Sequence, residues 1–319
     1  MIIIFYIKEI NNENEIFNND FKIPSVIKKI LIKVFRITNI MIIKENIILL
    51  PYFQNQKIEI SDKKFKRIFK KIHKFLEKEN IETIAISNKF NELDNNNIFK
   101  NLFYANNYNI LDGKLLFQNL SYEILLYISK QINKPINEME ISLMSNSNNE
   151  FIKENIKLLS QSVKNLNIVT RNIEYFKPVI QELYNSFGIS IRISNNKKKI
   201  LTNSDIIFNF DFPEEIINKF NLPLNSIIIN YNKQNKIYNK LFNGLNVHDY
   251  TINVDKYLID DFKEVHLLPA FNLEILYESL YYKETSFTKM ITHFINDKLV
   301  ITSLKGMNGK LSKHEYNNL

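Results

Sequence analysis

Between Glu140 and Tyr231, short apolar runs alternate with stretches whose apolar residues recur at helical spacing. EISLMSN (Glu140–Asn146) reads as a strand followed by a polar turn. Ile152, Ile156, Leu159 and Val163 then mark a helix, and NIVTR (Asn167–Arg171) a second strand. Phe176, Val179, Ile180, Leu183 and Phe187 mark the next helix, which Gly188 stops before ISIRIS (Ile189–Ser194). DIIFNF (Asp205–Phe210) and SIIINY (Ser226–Tyr231) bring the expected strands to five. Strands alternating with helices require right-handed crossovers, so this stretch predicts a parallel sheet covered by helices on both faces.

The remaining sequence falls around that unit. MIIIFYIKEI opens as a strand; Asn11–Asp20 is a polar loop; Val26, Ile27, Ile30, Leu31 and Val34 share one face of an expected helix. Short strands near Ile40–Ile43 and Ile47–Leu50 turn through Lys44-Glu45-Asn46. Asp62 caps a helix whose stripe is Phe65, Ile68, Phe69, Ile72, Phe75 and Leu76, and ETIAIS (Glu82–Ser87) is another strand. Leu115–Ile132 is apolar nearly all round, which predicts one helix buried between two domains. Phe271–Tyr282 predicts a helix packing back on the N-terminal part, and the last fifteen residues a loosely held tail. The expected order is an N-terminal α/β domain over 1–112, a connecting helix over 113–135, a Rossmann-like α/β domain over 136–252, and a helical return with a tail over 253–319.

Composition changes this picture little. The protein has 319 residues, with 45% hydrophobic and 24% charged, ordinary values for a globular protein of two domains. Ile, Asn and Lys are abundant while Gly numbers 5, the bias of an AT-rich coding sequence, so the net charge of +8 carries less weight than usual. The absence of cysteine excludes disulfides, thiolate metal sites and a cysteine nucleophile. No apolar run reaches the 18 or more residues of a membrane span, and the N-terminus lacks the basic start and cleavage site of a signal peptide, so a cytoplasmic protein is expected.

The candidate chemistry lies at the ends of the first two strands of the parallel sheet. A dinucleotide loop needs glycine for its tight turn, for backbone approach to the pyrophosphate and for close helix packing. Here the loop is Ser145-Asn146-Ser147-Asn148-Asn149, without glycine. Ser and Asn can donate to phosphate and Asn tolerates left-handed angles, so an atypical anion site remains open. The second strand ends in Thr170-Arg171-Asn172 where an acidic residue would bind a ribose hydroxyl, and a cation there suits a 2′-phosphate. On these residues, and on LTNSDIIFNF (Leu201–Phe210), the sequence resembles the shikimate dehydrogenase and glutamyl-tRNA reductase group over roughly residues 113–285. The resemblance implies NADP rather than NAD, with Thr170, Arg171 and Asn172 carried over residue by residue. Neither the reductase's cysteine nor the dehydrogenase's Asn-x-Thr-x-Pro-x-Lys string is present.

Other constellations are thin. Glu274 and Glu278 stand four apart on an expected helix without a His partner, which reads as a solvated face; His248-Asp249 reads as a surface or capping turn. The Asp62 helix carries Lys63, Lys64, Lys66, Arg67, Lys70, Lys71, Lys74 and Lys78 opposite its apolar stripe. Its aromatics point inward, so a solvated face is favoured over a nucleic-acid interface. The reading is a non-catalytic or cofactor-degenerate Rossmann-like protein acting through a protein partner or self-association, with no metal and no cofactor, or NADP if any. Two alternatives remain: an NADP-dependent oxidoreductase with a divergent phosphate loop, and a nucleic-acid or anionic-surface binder through Lys63–Lys78.

Overall fold

A computed structural model describes residues 4–10, 42–44, 46–53, 62–88, 90, 97–196, 199–231, 236–238, 242–264, 267–282 and 287–319, together with Pro24, Ile27 and Ile30. The polar loop at 11–20 and most of the helix expected near Ile27 lie outside these residues. Two compact units form: Met1–Gly113 with Lys256–Lys283, and Lys114–Asp255 with Glu284–Leu319. The C-terminal segment, expected to be one return, is therefore divided between them.

The first unit is built on strands β1 (Ile4–Ile10), β2 (Ile42–Lys44), β3 (Ile47–Phe53), β4 (Thr83–Ile86) and β5 (Asn109–Leu111), ordered β2-β3-β1-β4-β5. All neighbours are parallel except β2 and β3. The period-two geometry of a strand sorts its residues to two faces. Phe5, Ile7, Ile84 and Ile86 meet Phe65, Ile68, Phe69, Ile72 and Leu76 of the helix Asp62–Lys78, with Phe99 and Phe103 of Ile98–Ala105. Ile4, Ala85 and Leu111 face the other way, onto Phe262, Phe271, Ile275 and Leu276. The last two belong to the helix Leu273–Tyr281, which packs on the N-terminal strands as its sequence predicts.

The second unit contains six parallel strands: β6 (Glu140–Met144), β7 (Asn165–Val169), β8 (Arg192–Ser194), β9 (Ile206–Asn209), β10 (Ile227–Asn230) and β11 (Leu245–Val247). Their order is β11-β10-β9-β6-β7-β8. Counted within the unit and from the β8 edge, that is 3-2-1-4-5-6, the doubly wound Rossmann order whose direction reverses at the first strand. Helices Glu150–Ser160 and Ile173–Phe187 make the first crossovers, and Gly188 ends the second in a left-handed conformation at φ 67°. The sequence LNVHDYTI after Gly244 reads as one strand outside the five expected in this sheet; its first part, β11, instead joins the sheet as a sixth parallel strand. Gly244 precedes it because a Cβ there would lie 1.9 Å from the Ser226 carbonyl oxygen.

Two expectations are corrected here. Leu115–Ile132 is not one helix but two, Lys114–Asn119 and Ser121–Ile132, both within the second unit. The Ser121 hydroxyl donates to the Gln118 carbonyl at 2.7 Å, a local bond that competes with the helical ladder at the junction. Leu116, Leu120, Ile124 and Ile128 are nonetheless all buried. The C-terminus is not a loose tail. β12 (Asp249–Asn253), β13 (Val300–Gly306) and β14 (Gly309–Lys310) form an antiparallel sheet, and Gly306 pairs with Gly309 across a two-residue hairpin. Ser312 and Glu315 then close a capping box on the helix Lys313–Asn317, which buries Tyr316.

Candidate functional site

In a doubly wound sheet, ligands bind beyond the carboxyl ends of the strands at the point where the order reverses. Here that point lies beyond β6, between β7 and β9, and it receives Ser145–Asn149, Thr170–Asn172 and Asp211.

The loop after β6 folds around a carboxylate supplied by the protein itself. Asp211, two residues past β9, accepts the Asn146 N–H at 2.9 Å (Oδ1) and the Ser147 N–H at 2.9 Å (Oδ2). The Ser145 hydroxyl lies 3.1 Å from Oδ2 and 2.9 Å from the Ser147 carbonyl, and Ser145 is fully buried. Successive backbone N–H groups converging on one point make an anion nest. In this protein Asp211 occupies it. The helix that follows is capped by Asn149, whose Oδ1 accepts the Ile152 N–H at 3.0 Å.

The predicted residues of the second strand join the same network. The Arg171 N–H donates to Asn146 Oδ1 at 2.9 Å, and Asn172 Nδ2 to the Asn146 carbonyl at 3.3 Å. The Thr170 hydroxyl oxygen accepts the Asn172 N–H at 3.0 Å, and Asn148 Nδ2 reaches the Tyr175 carbonyl at 3.4 Å. All seven candidate residues, Ser145, Asn146, Ser147, Asn148, Thr170, Arg171 and Asn172, therefore sit at one end of the sheet. Asn146 is the hub, and Arg171 is exposed.

The residues that sequence reasoning missed lie on the other half of the sheet. Asn209 and Asn230 occupy facing positions on β9 and β10, both fully buried. Asn209 Nδ2 donates to Asn230 Oδ1 at 2.7 Å, and Asn230 Nδ2 donates to Asn246 Oδ1 on β11. Asn209 Oδ1 also accepts the Phe212 N–H at 3.0 Å, which fixes the turn that presents Asp211. The signal was available: IIFN and IIIN both end an apolar strand in Asn.

A second buried polar group lies on the helix Ser121–Ile132 and the end of β10. Tyr231, fully buried, donates to Ser121 Oγ at 2.7 Å, since the serine's one proton goes to the Gln118 carbonyl. Burial pushes the Tyr231 phenol upward, and the nearby Glu123 carboxylate adds to that shift. Burial also lifts the Glu123 carboxyl to about 7, and its Oε2 is enclosed without a hydrogen-bond partner among the described residues.

Two surface expectations are overturned. Glu274 and Glu278 are buried, and Glu278 Oε2 accepts the Gly113 N–H at 2.6 Å, so this carboxylate anchors a turn. His248 is 7% exposed, and among the described residues neither of its ring nitrogens has a partner. Desolvation lowers its pKa, opposed by Asp249.

No family model matches this protein, and no curated protein matches it by sequence. Among solved structures, dipicolinate synthase from Bacillus subtilis aligns over 56% of this protein and 55% of its own length, at 10% identity and a TM-score of 0.31. Aspartate transcarbamoylase from Trypanosoma cruzi aligns over 72% and 70%, at 10% identity and a TM-score of 0.26. Lysine cyclodeaminase aligns over 36% of this protein, at 10% identity and a TM-score of 0.27, and the match spans 34% of that enzyme's length. Among the described residues, no helix is long and apolar enough to cross a membrane.

Proposed function

We propose that the Rossmann-like unit works without a dinucleotide and that the protein acts through a protein partner or self-association. Asp211 carries the reading. Its carboxylate already takes the Asn146 and Ser147 N–H groups that a pyrophosphate would need, and its charge would repel the phosphates. The side chains at the glycine positions obstruct the same approach. Losing several charge-assisted hydrogen bonds at about 1.5–3 kcal/mol each weakens nucleotide binding by orders of magnitude. Protein contact is supported by Tyr184 and Phe187, 59% and 61% exposed, three residues apart on one helix and thus surface neighbours.

The resemblance to the shikimate dehydrogenase and glutamyl-tRNA reductase group supports shared ancestry of the fold, and Thr170-Arg171-Asn172 is its trace. One observation favours an NADP-dependent oxidoreductase as the second reading: the second strand of the parallel sheet is followed by the exposed Arg171, a cation that would suit a 2′-phosphate.

Calorimetry with millimolar NAD, NADH, NADP and NADPH should show no binding to the native protein. Micromolar NADPH binding would overturn this proposal and install the second reading, in which Arg171→Ala should abolish the preference for the 2′-phosphorylated pair. Light scattering across concentration tests self-association, which Tyr184→Ala with Phe187→Ala should weaken.

A further inference from the structure

The helix Asp62–Lys78 carries charge in an arrangement that stability does not explain. Lys63, Lys66, Arg67, Lys70 and Lys74 are all exposed, and among the described residues none of them has an ion-pair partner. Lys63 with Arg67, Lys66 with Lys70, and Lys70 with Lys74 stand four apart, where like charges repel across one turn. Asp62 in the first turn and Lys78 in the last suit the helix dipole, but between them the cations Lys63, Lys66, Arg67 and Lys70 crowd the first turns, where the dipole disfavours positive charge. A lysine-rich composition alone does not account for this. Elsewhere Lys153, Lys157, Lys177 and Lys263 each pair with an acid three residues earlier, at Glu150, Glu154, Glu174 and Asp260.

Shape adds to charge. Lys63, Lys66, Arg67 and Lys70 line, with Asp62, an open concavity of about 430 Å³. We propose that this face docks on the phosphate backbone of a double-stranded nucleic acid, without reading its sequence. From Lys63 to Lys74 the cations run for about 16 Å along the helix, at a rise of about 1.5 Å per residue, enough to follow several phosphates. The helix's aromatics do not join the face: Phe65 and Phe69 are buried in the core. Bases of a single strand therefore find no stacking platform, which favours a duplex. Its apolar residues Ile68, Ile72 and Leu76 are buried too, so the helix has no face to insert into a lipid surface.

Fluorescence anisotropy with a random duplex of about 20 base pairs tests the proposal on the full-length protein. With about four phosphates neutralised, affinity should fall about a hundredfold between about 50 and about 200 mM salt. Lys66→Glu with Lys70→Glu should weaken binding at least about tenfold, each reversal removing a phosphate contact and adding repulsion. Lys153→Glu with Lys177→Glu, on other helices, the first half-buried and the second exposed, should leave binding nearly unchanged. Circular dichroism confirms that each variant is folded. No binding at low salt, equal loss from both double variants, tighter binding to single strands, or binding to anionic vesicles in preference to the duplex would each overturn it.

Discussion

Replacing Glu123 by glutamine should stabilise the protein above neutral pH and give no gain in acid. Burial raises the Glu123 carboxyl from 4.5 to about 7. The folded state thus holds a proton that the unfolded state has released between those values. Stability from this group is fully present below about pH 4.5, falls as pH rises toward 7, and stays lost above it. A difference of about 2.5 units at about 1.36 kcal/mol each gives about 3 kcal/mol. A glutamine at this place keeps the shape and removes the ionisation, but its amide hydrogens need partners, at about 1 kcal/mol if left without them. A net gain of about 2 kcal/mol at pH 8 is therefore expected, shrinking to zero or reversing at pH 4.5. Urea unfolding from pH 4.5 to 8 reads it directly. Parallel pH profiles for the native protein and Glu123→Gln would refute the reasoning, because they would mean that the carboxyl ionises without cost where it stands.

Two further outcomes follow from the same structure. Asn230→Ala should cost about 1–2 kcal/mol by removing the bonds that the buried Asn230 amide makes to the Asn209 and Asn246 side chains, read as a lower urea midpoint; a loss under about 0.5 kcal/mol would show that the ladder does not hold the strands. Deleting residues 312–319 removes the capped helix and the buried Tyr316, so it should lower the midpoint by about 2 kcal/mol or more; an unchanged midpoint would return the C-terminus to the status of a loose tail.

The sequence by itself determined the local alternation. Apolar runs of strand length between helical stripes named β6, β7, β9 and β10 within two residues of their ends, because each strand is buried on both faces and is therefore mostly apolar. The same pattern placed Ser145–Asn149 and Thr170–Asn172 in loops after consecutive parallel strands, which already puts them side by side. It could not give the strand order, since the sheet's reversal at β6 depends on which edge each crossover takes. It could not show that Asp211, distant in sequence, closes back on Asn146 and Ser147. Nor could it separate a solvated glutamate from Glu278, or a flexible end from the strand Gly309–Lys310 and the capped helix Lys313–Asn317, because a polar residue declares its environment only once its neighbours are assembled. Local periodicity belongs to the sequence; burial of polar groups belongs to the fold, where each must find a partner that lies far away along the backbone.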